Sequence, residues 1–238
     1  MATFVLIHGA WHGAWCWEKV ERELVAAGHK VVSLDLPSHG EDDTPAHEVT
    51  LETYARAVAD TVRAQAEPVV LVGHSMGGIV ISAAAEMVAD RIERLIYVAA
   101  FLPRDGESLL ALEERNPRVS VPPALVIEEG APTATLKPEK IAELFYNDMP
   151  DHEAEAAKAK LVPQPLAPLA TPLKLTQERF GRLPKAYIEC TVDNAISIEL
   201  QRDMISKSNV DKVETLAASH SPFLSMPHET ARALMRVI

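Results

Sequence analysis

The strongest constraint on this chain is a rhythm of short apolar runs and helical segments. Runs rich in β-branched and apolar residues at positions 3–7, 30–34, 68–72, 95–99, 185–189 and 212–216 each read as a strand. Between the early ones lie amphipathic segments at 17–27, 51–65 and 78–89, the first closed by Gly28. Strands alternating with helices imply a mostly parallel sheet, because the crossover that joins parallel neighbours also covers the faces of the sheet. The expected fold class is α/β: a six-stranded, mostly parallel sheet with helices on both faces. Right-handed crossovers bring the carboxyl end of every strand, and the loop that follows, to one edge. Chemistry is expected there.

The rhythm breaks from about residue 103 to 184, where prolines cluster in "VPPALVIEEGAPTATLKPEK" and "LVPQPLAPLATPLKL". Helical signals persist only around 140–145 and 151–160. The stretch is too long for a plain connection, and residues 185–238 carry too few elements to fold alone. We therefore expect a core made of residues 1–102 and 185–238, with 103–184 inserted as a small cap over the sheet edge.

Composition limits the partners. With 47% hydrophobic and 24% charged residues among 238, the chain can bury one sizeable core. No apolar stretch approaches the roughly 20 residues that span a bilayer. The start, "MATFVLIHGAW", has neither the basic residues nor the apolar run of a secretion signal, so the cytoplasm is the expected compartment. A net charge of −11 opposes long-range attraction to nucleic acid or anionic membrane. Cys16 and Cys190 make neither a disulfide framework nor a metal-ligand spacing and are expected as packed thiols. The expected partner is a small molecule, with no metal and no cofactor; a homodimer is an open expectation.

One gap in the rhythm carries chemistry. In "LVGHSMGGIVISAAAEM" a buried strand stops at Gly73-His74-Ser75-Met76-Gly77 and resumes as a helix. This G-x-S-x-G pattern sits at a strand-to-helix turn, where a strained backbone lifts a serine hydroxyl clear of its surroundings. A serine hydroxyl is a weak nucleophile at neutral pH and needs a base, with an acid to orient that base. Asp193 follows the fifth strand and His220 follows the sixth, both at the functional edge. Among the other histidines, His228 reads as a helix start and His74 as part of the turn. His8 and His12 flank the first strand's end, while His29, His39, His47 and His152 lack an acidic partner implied by spacing. Asp105, after the fourth strand, is the rival acid.

The first strand ends in His8-Gly9-Ala10, where backbone N–H groups can meet a developing oxyanion. Met76, at the positive end of the helix after the serine, supplies the second N–H. Gly9 leaves room for substrate. Trp11, Trp15 and Trp17 are expected to pack the core and cap. Candidate pocket lining comprises Gly9, Trp11, His74, Phe101 and Leu102, together with Leu144, Phe145, Tyr146 and Leu166 from the cap.

The stretches "FVLIHGAWHGAWCW", "AAGHKVVSLDLPSHG", "VVLVGHSMGG", "YVAAFLPRDGES", "LTQERFGRLPKAYIECTVD" and "ASHSPFLSMP" resemble the α/β-hydrolase superfamily. More closely, they resemble its plant methylesterase and hydroxynitrile lyase branch with the bacterial pyrethroid-hydrolase-like esterases. The resemblance runs nearly end to end and implies an α/β-hydrolase fold with a small cap. It also implies Ser75, Asp193 and His220 as triad and Ala10 and Met76 as oxyanion donors. The lyases carry threonine where this chain has Gly9, and lysine where it has Ser221. A cyanide leaving group needs a nearby positive charge that serine does not provide. The expected function is therefore a serine carboxylesterase acting on hydrophobic esters, pyrethroid-like or methyl. A hydroxynitrile lyase and a small-molecule receptor on a hydrolase scaffold are the alternatives.

Overall fold

A computed structural model of the protein describes residues 1–118 and 121–238; positions 119 and 120 of the expected cap lie outside the described residues. The first half runs β1 (Thr3–Ile7), α1 (Glu18–Ala26), β2 (Lys30–Leu34), α2 (Leu51–Arg63), β3 (Val69–His74), α3 (Gly77–Val88) and β4 (Ile92–Val98). An inserted region follows: α4 (Leu109–Glu113), β5 (Leu125–Val126), β6 (Thr133–Leu136), α5 (Pro138–Phe145), α6 (Asp151–Lys158), β7 (Gln164–Pro165) and α7 (Ala167–Ala170). The chain then returns with β8 (Lys185–Cys190), α8 (Ile198–Ser206), β9 (Lys212–Leu216), α9 (Pro222–Ser225) and α10 (Pro227–Arg236).

The main sheet has the order β2-β1-β3-β4-β8-β9 and all of its pairings are parallel. Register places Ile7 beside both Leu34 and Gly73, and His74 beside Val98, so the strand ends align along one edge. The inserted β5, β6 and β7 pair antiparallel as a separate small sheet.

Successive side chains of a strand point to opposite faces, and both faces here are apolar. Val5, Ile7, Leu71, Leu95 and Tyr97 join the core under α2 and α3, whereas Phe4, Leu6, Val70, Val72, Ile96 and Val98 join the core under α1 and α10. Double-sided burial explains why these strands appear in the sequence as unbroken apolar runs. The edge strands β2 and β9 are only partly covered and keep polar residues.

Local signals fix several helix ends. In α2 the buried Leu51, Tyr54, Ala55, Val58, Ala59 and Val62 form one face, and Thr50 caps the helix through a reciprocal pair of bonds with Thr53. Gly28, at φ +86°, lets the chain reverse after α1, with the His29 N–H reaching back to Leu24 O. Some boundaries differ from the sequence reading. Trp17 belongs to a 3₁₀ turn ahead of α1. Strand β4 begins at Ile92 rather than 95, because Glu93 and Arg94 interrupt the apolar run while the backbone still pairs; Arg94 bonds Asp211 at 2.6 Å. After residue 185 there are three helices, since Pro222 and Pro227 each start a new one.

Cys16 and Cys190 are both fully buried free thiols, and burial pushes their pKa values upward. Among the described residues no helix is long and apolar enough to cross a membrane, and no cluster of His, Cys, Asp and Glu could hold a metal ion.

Candidate active site

Three loops meet at the carboxyl edge of the sheet. The first is the turn between β3 and α3. Ser75 sits there at φ +52°, a left-handed conformation that costs a non-glycine residue about 1–3 kcal/mol. The turn is held from outside: Ser75 O accepts from the N–H groups of Gly78 and Phe101, at 3.0 and 3.1 Å. Gly78 is obligatory for that closeness, since a Cβ there would lie 2.1 Å from Phe101 O. Ser75 remains 9% exposed and borders a cleft of about 530 Å³.

The second loop follows β9 and brings His220 to the same cleft. Its Nδ1 lies 2.8 Å from Asp193 Oδ2, and both residues are only 2% exposed. A carboxylate can only accept, so Nδ1 carries the proton and Nε2 is the basic nitrogen. His74 supports this ring from beneath: its Nε2 donates to His220 O at 2.7 Å, and the two rings lie 4.7 Å apart. Phe145 packs on the His220 ring at 5.4 Å.

The third loop, after β8, holds Asp193 behind the histidine. Asp193 Oδ1 accepts from the N–H groups of Ala195 and Ile196, at 2.7 and 2.9 Å. Gln201 stitches the loop to the strand, accepting from Cys190 N–H at 3.0 Å and donating to Ile196 O at 2.8 Å. The rival Asp105 stands elsewhere, exposed and accepting from Leu175 N–H at 2.8 Å.

Opposite Ser75, the loop after β1 is pinned by a buried polar cluster. Trp11, at φ +62°, donates its backbone N–H to Gln164 Oε1 at 3.3 Å and its indole N–H to Ala134 O at 2.9 Å, both in the inserted region. Gln164 Oε1 also meets His39 Nε2 at 3.0 Å. Among the described residues the backbone N–H groups of Ala10 and Met76 meet no protein acceptor, and both residues border the cleft. Gly9 leaves no space for a side chain: a Cβ would lie 2.7 Å from Ser75 Cβ and 2.8 Å from His74 Nδ1.

The candidate lining divides. Trp11, Phe101 and Phe145 border the cleft. Gly9, His74, Leu102, Leu144, Tyr146 and Leu166 do not. His74 is entirely buried under His220, Leu102 packs with its N–H on Met204 Sδ, and Tyr146 turns its hydroxyl to His12 Nε2 at 2.9 Å. Leu144 and Leu166 pack into the core that continues beneath the inserted region. Adjacent residues of one helix face different sides, so Phe145 reaches the cleft while its neighbours do not. Sequence reasoning missed Leu109, Glu113, Val121 and Leu125, which also line the cleft. Their elements are too short to show any periodicity.

A strained serine turn, a buried histidine–carboxylate pair and a mixed sheet-and-helix frame of this order define an α/β hydrolase. The chain belongs to the alpha/beta hydrolase family, whose model matches residues 4–233. Within the family it belongs with the methylesterases. Methylesterase 7 of Arabidopsis thaliana is 33% identical over 261 aligned positions, covering 98% of this chain and 95% of that one. Among solved structures, polyneuridine aldehyde esterase superposes with a TM-score of 0.89 at 28% identity, covering 100% of this chain and 99% of that one. A pyrethroid hydrolase from Sphingobium faniae JZ-2 does so at 0.88 and 29%, covering 99% and 96%. The chain is thus an enzyme of the serine esterase type.

Proposed function

We propose that the protein hydrolyses hydrophobic carboxylic esters through an acyl-enzyme. The observation that carries this reading is the buried His220–Asp193 pair beside Ser75 at the wall of one apolar cleft. Ser75 Oγ attacks the ester carbonyl while His220 Nε2 takes its proton, and Asp193 stabilises the imidazolium. The N–H groups of Ala10 and Met76 receive the oxyanion. The histidine then protonates the departing alkoxide, and a water molecule, activated by the same base, releases the acid. Residues 103–184 act as the cap that supplies most of the apolar lining. Methyl or pyrethroid-like esters suit such a cleft, and the names of the relatives support that class.

Cyanohydrin cleavage is disfavoured by two positions. Gly9 has no room for a larger side chain, and Ser221 is fully buried with its hydroxyl unpartnered among the described residues. No lysine or arginine borders the cleft among the described residues. A panel of methyl, aryl and pyrethroid-like esters, assayed beside mandelonitrile, tests this. We expect ester turnover with no enzyme-dependent cyanide release. Cyanide release without ester hydrolysis would contradict it.

A further inference from the structure

Among the described residues the cleft holds one ionisable group that the hydrolysis above does not use. Glu113, the last residue of α4, borders the cleft and is 8% exposed. The cleft it borders is mainly apolar, with Leu109, Leu110, Val121, Pro122, Leu125 and Leu169 among its lining. Its protein contacts are poor. Both carboxylate oxygens lie 3.4 Å from Asn116 Nδ2, whose short bond, 2.9 Å, goes to Ala195 O instead. Glu107, nearby in sequence, shows the contrast: it is paired by both Arg104 and Arg115, at 2.7 Å each. No cation pairs with Glu113 among the described residues.

A carboxylate offers about four lone-pair positions, and leaving them empty in an apolar site costs free energy. Burial pushes the Glu113 carboxyl up to about 7, with the Asn116 bond pulling down and the Asp193 charge adding to the rise. The group is largely shielded from water on the protein side. Asp193 is committed to His220, so Glu113 is the carboxylate left for a ligand.

We propose that Glu113 is a specificity-determining residue that receives a protonated amine on the substrate, so that preferred esters carry a basic nitrogen at the end of an otherwise apolar chain. This rests on the esterase reading of the same cleft. The ammonium N–H supplies a charged donor where the protein offers only the long contact from Asn116, and the leucine and valine walls take the methylenes and N-methyl groups. The carboxylate is largely desolvated before the substrate arrives, so most of the water lost on binding comes from the ammonium.

The test compares an aryl ester whose acyl chain ends in a dimethylamino group with its isopropyl-ended isostere, and a second pair with the nitrogen in the alcohol chain. At pH 8 we expect kcat/KM of the wild-type enzyme for the amine ester of at least one pair to exceed that of its isostere by about 10-fold or more. In Glu113→Gln that ratio should fall to about one, while the isostere gains several-fold because a buried charge is gone. Lowering the pH through 7 should erode the wild-type ratio as Glu113 takes up a proton. The other titratable groups facing it are Asp193 and His220, and taking a ratio of two esters cancels their common effect on the chemistry. Wild-type ratios near or below one in both pairs overturn the proposal without needing any variant to fold, as does a ratio unchanged in Glu113→Gln. If the isosteres are hydrolysed, the esterase reading survives that outcome. If no ester in the panel is turned over, both readings fall together.

Discussion

Replacing Asp193 by asparagine is expected to lower kcat/KM for ester hydrolysis by about 10⁴-fold with little effect on the fold. The asparagine oxygen can keep the two backbone bonds to Ala195 and Ile196 that Asp193 Oδ1 accepts. Its amide nitrogen must then face His220 Nδ1, where Oδ2 stood at 2.8 Å. Two donors cannot share that contact, so the imidazole moves its proton to Nε2 and can no longer accept one from Ser75. The charge that stabilises the imidazolium is lost as well. Steady-state kinetics together with a thermal melt separates this from unfolding. Activity within tenfold of wild type would remove Asp193 from the proton-handling line.

Stability should fall on the acid side of pH 6.5, because buried histidines, His8, His12 and His74 foremost, are held neutral by burial and by their partners. His8 donates Nδ1–H to Gly9 O at 2.8 Å and accepts the Leu36 N–H on Nε2 at 3.0 Å. His12 donates to Ala10 O at 2.9 Å and accepts from the Tyr146 hydroxyl. His74 donates to His220 O, and its Nδ1 has no partner among the described residues. Burial lowers all three pKa values, His12 to about 4. The unfolded chain binds protons below about 6.5 that the native chain refuses, so each histidine removes about 1.4 kcal/mol of stability per pH unit, until its folded value is reached. Glu113 acts with the opposite sign: raised to about 7, it favours the native state as pH falls. Between pH 8 and 5.5 the buried histidines, with His39 also lowered by burial, outweigh the single opposing carboxyl, leaving a net loss of stability. Urea midpoints across that range measure it. A flat or rising profile would mean that the histidines are not held neutral.

The parts of the molecule fixed by repetition were legible in the sequence. Double-sided burial turns Val69–Val72 and Tyr187–Ile188 into runs that no surface segment imitates, and the glycines around Ser75 mark a turn too close for side chains. Asp193 and His220 were legible because each follows a strand directly. The groups that position them were not. Gln164 and Asn116 act by bonding backbone atoms of loops far away in the chain, and Gln201 turns back on the strand end and loop before its own helix; no spacing announces such bonds. The cleft wall was hardest to read. It is built from a five-residue helix, a proline turn and a two-residue strand, where neither helical nor strand periodicity has room to show. Phe145 and its neighbours Leu144 and Tyr146 look alike in sequence, and only the register of α5 separates lining from core.

The most direct measurement is covalent: label the protein with a fluorophosphonate, digest it, and locate the adduct by mass spectrometry. The modified peptide should carry the probe on Ser75, and Ser75→Ala should lose both the adduct and roughly 10⁶-fold in turnover. An adduct on another residue, or a variant that still hydrolyses esters at the original rate, would contradict the assignment of Ser75 as the attacking group.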